Sequence, residues 1–102
     1  MQKIAEICDE IAEELNDADK YITKALELKE CDKTSAEMYY QLSMEEMAHS
    51  DRLHKRVVEL INEYRKANGD PPPEMQWRYD YLHKNHIKKA TEIKVKQMLY
   101  KE

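Results

Sequence analysis

Chain-breaking residues are almost missing from this sequence, whose 102 residues include a single Gly and only 3 Pro. So few breaks argue against a β-rich fold and favour long, exposed helices. No apolar run is long enough to span a membrane, and no signal-peptide pattern opens the chain. Cysteine is scarce too, with only Cys8 and Cys31. If residues 4–29 form one helix, the two lie on the order of 35 Å apart at its usual rise. That is beyond disulfide reach, and two unpaired thiols suggest a reducing compartment. The expectation is a soluble, cytoplasmic protein with no membrane partner.

Charge is abundant, at 37% of residues, with a net value of −4 that is unevenly spread. Residues 1–32 carry 4 basic and 10 acidic groups, residues 33–68 carry 6 of each, and residues 69–102 carry 7 basic and 5 acidic. An acidic first segment and a basic last one suit self-association or the attraction of cations. Nucleic-acid binding, which needs a concentrated basic face, gains no support. A chain of this size buries roughly two-thirds of its unfolded surface and is often stabilised by a partner or a metal.

Apolar residues recur at helical spacing through residues 4–29, at Ile4, Ile7, Ile11, Ala18, Ile22, Ala25 and Leu28 or Lys29. Glu14 shares a face with Ile7, Ile11, Ala18 and Tyr21, while Glu10, Glu13 and Asp17 lie on or beside it. The break falls at Glu30-Cys31-Asp32-Lys33. Thr34 and Glu37 then read as a capping box. A second helix runs to about Ala67, where Asn68-Gly69 is a stop signal. Its stripe passes through Tyr39, Leu42, Leu53, Val57, Leu60 and Tyr64, and Glu46 and His49 interrupt it. The pattern predicts that this carboxylate and this imidazole point inwards, which is unfavourable unless they are paired or bind a metal. A loop this short makes the two helices an antiparallel hairpin. Reflecting the sequence about residue 31 sets Glu14 opposite position 48, level with Glu46 and His49.

Asp70 and three prolines form a stiff spacer. A third helix follows over residues 74–100, its best stripe being Tyr79, Leu82, His86, Ala90, Ile93, Gln97 and Tyr100. The chain thus divides into a hairpin (1–68), a linker (69–73) and a C-terminal helix (74–102). The spacer leaves open whether the third helix returns to its own hairpin or reaches a neighbour.

A dinuclear carboxylate site in a helical bundle uses one Glu from each of two helices and a Glu-x-x-His pair from each of the other two. Glu14, Glu46 and His49 supply half of that set. A second copy related by a two-fold axis completes it, and such dimers are the commonest oligomers. Carboxylate and imidazole suit iron, with manganese as the alternative. The bare acid-x-x-His spacing is weak evidence, because Asp51 with His54 and Asp80 with His83 share it. Placement in the stripe, level with Glu14, sets Glu46 and His49 apart. Asp80 and His83 are the reserve ligand pair should the third helix cover the site.

The run from Glu14 to Tyr21, one heptad apart, followed after a hairpin by Glu46-Met47-Ala48-His49, resembles the first half of ferritin-like proteins. Ferritins and rubrerythrins carry two such hairpins in one chain. A single hairpin with a trailing helix resembles the encapsulated ferritins, which build a four-helix site across a subunit interface. The likeness covers roughly residues 10–60. It implies an all-α, ferritin-like four-helix bundle completed by dimerisation, with Glu14, Glu46 and His49 as di-iron ligands and as the catalytic ferroxidase residues. It also implies that Tyr21 stands beside the metal. Residues 69–102 contain no capsid-targeting extension of the encapsulated-ferritin kind, so a capsid-type compartment gains no support. Two other readings are a helical assembly protein whose inward Glu and His set register, and a metal carrier without turnover.

Overall fold

The computed structural model describes residues 2–102 as three helices, α1 (Gln2–Leu28), α2 (Lys33–Asn68) and α3 (Pro73–Lys101). The expected all-α class is what the chain adopts. The 36 residues of α2 come to about 54 Å at the usual rise, which sets the length of a rod measuring 55 × 18 × 17 Å.

A tight turn closes α1, with the Cys31 and Asp32 amides donating to Leu28 O at 3.2 and 2.9 Å. The start of α2 departs from the expected capping box. Asp32, not Thr34, is the cap, and its Oδ1 accepts from the Ser35 amide at 3.1 Å. Glu37 instead accepts from Gln41 Nε2 and Tyr100 OH. At the other end of α2 stands the chain's one glycine. Gly69 has φ 77° and donates its amide to Arg65 O at 2.8 Å. A left-handed cap of this kind is the position that Gly tolerates best. Pro73 then occupies the first turn of α3, where its missing N–H leaves no helical bond unmade.

Helices α1 and α2 pair antiparallel along their length, and α3 folds back over its own hairpin, chiefly against α1. The core from α1 is Ile4, Cys8, Ile11, Leu15, Ala18, Ile22 and Ala25. The core line on α2 differs from the expected stripe. Buried there are Ala36, Ser43, Met47, Ser50 and Val57, while Tyr39, Leu42, Leu53, Leu60 and Tyr64 are half-buried. The helix is turned so that much of the apolar stripe lies beside the hairpin seam, while Val57 and the smaller Ala36 and Ser43 are fully buried.

Polar contacts help to seat α3, two of them centred on Ser43 and Asp19. Ser43 Oγ donates to Ala18 O at 2.8 Å and accepts from Gln97 Nε2 at 3.0 Å, joining all three helices inside the core. Asp19 accepts from both Lys89 Nζ and Lys96 Nζ at 2.7 Å. Burial works to raise the Asp19 pKa, but the two lysine hydrogen bonds outweigh it and hold the carboxyl below its usual range. On α1, Cys8 and Asp19 lie on one side of the core line; Ile7, Glu14 and Tyr21 lie on the other. Helix α3 takes the first side and leaves the second uncovered.

Candidate metal centre

Glu14 comes from the middle of α1, and Glu46 and His49 from one turn of α2, so two rigid helices hold all three. Each offers one ligand atom, and these atoms lie within 4.8 Å of one another. His49 Nδ1 is 3.4 Å from Glu14 Oε2 and 3.7 Å from Glu46 Oε1. The sequence reflection therefore placed the cluster correctly along the hairpin. It erred in depth, because the group lies on the open flank of the seam. The Glu46 side chain is 19% exposed, Glu14 28% and His49 51%. The imidazole thus faces outwards, since α2 turns Ala36, Ser43, Met47, Ser50 and Val57 into the core.

One atom of the group is nevertheless shut off from water. Glu14 Oε2 is, among the described residues, a buried side-chain oxygen with no hydrogen-bond partner. His49 Nδ1 lies within ion-pair distance of it, but the pair does not make a directed hydrogen bond. The electrostatics match this crowding. Glu46 has its pKa pushed up to about 7, first because it holds a proton against Glu14, then through partial burial and the Glu14 charge. His49 opposes that rise, and Asp17 adds to it. A carboxyl whose pKa is raised beside a second carboxyl gives up its proton as a cation binds.

Neighbouring residues divide between the two flanks. Tyr21 stacks on Tyr39 with ring centroids 6.1 Å apart. It lies two helical turns from Glu14, roughly 10 Å along the axis, and its ring contacts Tyr39. Glu10, Glu13 and Asp17 are exposed on α1. The reserve pair does not join the cluster. Asp80 accepts from Gln76 Nε2 at 2.9 Å, and His83 stacks on His54 and Tyr79 on the α3 side. Gln97 was expected on the packing stripe of α3, but its bond to Ser43 was not, and Asp19 was not singled out in the sequence. A lone acid and a lone amide whose partners lie 54 to 77 positions away leave no local signal.

Compared with protein-family models, curated proteins and solved structures, the chain matches none. No helix is long and apolar enough to cross a membrane. What the site can do is therefore argued from its own chemistry.

Proposed function

We propose that the chain is a di-iron-binding, ferritin-like protein that acts as a ferroxidase, with its metal centre where two subunits meet. The observation that carries this reading is Glu14 Oε2. A carboxylate oxygen buried without a donor is unfavourable, and a cation supplies the missing partner. The second carboxyl and the imidazole beside it form an oxygen-rich donor set suited to iron or manganese. One Glu plus a Glu-x-x-His pair is half of a two-metal site. A homodimer or higher homo-oligomer that apposes two open flanks brings the other half. Ile7, Tyr21, Tyr39, Leu42 and Leu53 are half-buried along those flanks and give such an interface its apolar surface.

Fe(II) is then the substrate, each ion giving one electron to O2 or peroxide. Glu14 and Glu46 supply charge and position, His49 an imidazole donor, and Glu46 releases its proton as the cation enters. The exposed Glu10, Glu13 and Asp17 draw cations towards the group. Air admitted to protein loaded anaerobically with Fe(II) should oxidise iron faster than buffer does, and Glu46→Ala should lose that advantage. The reading fails if the variant oxidises iron as well as wild type does.

The same half-buried flank also suits a non-catalytic assembly protein in which the Glu and His groups set register. In that case EDTA leaves oligomer state and thermal stability unchanged. A carrier without turnover is distinguished by binding Fe or Mn while failing the oxidation assay.

A further inference from the structure

We propose a second metal site, for a zinc-class divalent ion, in the groove between α2 and α3, formed by Asp51 and His54 together with His83 and His86. All four residues line one groove of about 180 Å³. Each helix contributes a pair three residues apart, the spacing that sets two side chains on the same face. The two pairs touch at one point, where the rings of His54 and His83 stack with centroids 4.8 Å apart and planes 13° from parallel. Tyr79 stacks on His83 at 5.6 Å and steadies that ring.

Three imidazoles and one carboxylate make a four-donor set, and imidazole favours Zn, Cu and Ni ions over the hard cations. None of the three rings has a hydrogen bond or ion pair among the described residues, although all three are half-buried. Polar groups withdrawn from water ordinarily find partners, so these rings have donor capacity to spare. The parallel rings must turn about their side-chain torsions to bring nitrogens onto one ion, and half-exposed side chains have staggered alternatives for that. Lys94 lines the same groove and opposes a cation, but it is exposed and its long stem lets the ammonium swing into water.

The site would act as a clasp. Helix α3 rests chiefly on α1 and touches α2 sparsely, so an ion held by both pairs adds a link the fold otherwise lacks. It lies on the flank that α3 covers, away from Glu14, Glu46 and His49, and does not depend on what they bind.

The test uses chelator-treated full-length Glu46→Ala protein, in which the other cluster is disabled. Zn(II) is followed by calorimetry and Co(II) by visible absorption. One Zn(II) per chain is expected, weakened at least tenfold by His83→Ala and by His54→Gln, with the Co(II) bands lost in both. Zn(II) should raise Tm by several degrees in the parent and not in these variants. Circular dichroism of each variant shows whether its helices are intact. The proposal is overturned if the parent binds no Zn(II), or if either variant retains helix content and binds within twofold of the parent.

Discussion

The carboxyls of Glu14 on α1 and Glu46 on α2 lie within 4.8 Å of each other across the hairpin seam, and this neighbour pushes the Glu46 pKa up to about 7. Most carboxyls of this chain are exposed. This one contact links the fold to its proposed chemistry, and the consequences can be measured separately.

A carboxyl whose folded pKa is raised binds more protons folded than unfolded, so its contribution is present at low pH and is lost as pH rises. For Glu46 the window runs from the ordinary value of 4.5 to about 7. His54 and His86, lowered first by burial and then by the neighbouring histidines, push stability upwards with pH below 6.5. The variant therefore isolates the effect. In urea titrations without metal, Glu46→Gln should gain roughly 1 kcal/mol over wild type at pH 7.5, an amount discounted for the water around His49. At pH 4.5 it should gain little. An equal difference at both pH values would rule out the shared proton.

Cation binding at the cluster has to displace that same proton. Mn(II), which is redox-silent here, should bind more weakly by up to about tenfold per pH unit below 7. Titrations at pH 6 and 7.5, followed by electron paramagnetic resonance, read this directly. Glu14→Gln should weaken binding at both pH values and flatten the dependence. Binding by wild type that is indifferent to pH would mean the ion lies elsewhere.

Asp19 seats α3 through two lysines whose side chains are 34% and 37% exposed. Screening by solvent limits such pairs, so Asp19→Asn should cost about 1 kcal/mol. The loss should appear in hydrogen exchange as weaker protection of α3 relative to α1 and α2. Its sign with pH is the reverse of that for Glu46. The Asp19 pKa is lowered, so its contribution is present above the usual carboxylate range and is lost as pH falls through the folded value. Uniform loss of protection in all three helices would show that the pair does not act on α3 in particular.

Ser43 is fully buried and bonds to both of the other helices. Ser43→Ala leaves the Gln97 amide without its acceptor, at a cost of about 2 kcal/mol. A cost below about 0.5 kcal/mol, the range of an ordinary surface change, would mean that water replaces the hydroxyl.

How much of this was legible in the sequence follows from the range of each interaction. The helices and their pairing were, because an uninterrupted apolar period and one short loop leave little freedom. The level of Glu14 with Glu46 and His49 follows from the reflection about residue 31. The rotation of α2 was not. A stripe with Tyr39, Leu42 and Leu53 looks like the buried line, yet these are half-buried while Ser43 and Ser50 are buried, Ser43 bonding to the α1 backbone. The cap was misplaced by two residues, since Asp32 and Thr34 are both good acceptors and only the turn geometry chooses between them. The return of α3 rests on Asp19, Lys89, Lys96, Ser43 and Gln97, which meet across 54 to 77 positions and so leave no periodic trace.

The central claim is that Glu14, Glu46 and His49 of two chains hold two iron ions between them. An anomalous-difference map at the iron edge, from crystals grown anaerobically with Fe(II), measures this most directly. The account predicts two peaks at each subunit pair, both touched by Glu14, Glu46 and His49 side chains and related by the two-fold axis. Peaks away from these residues, or no peak where two open flanks meet, would contradict it.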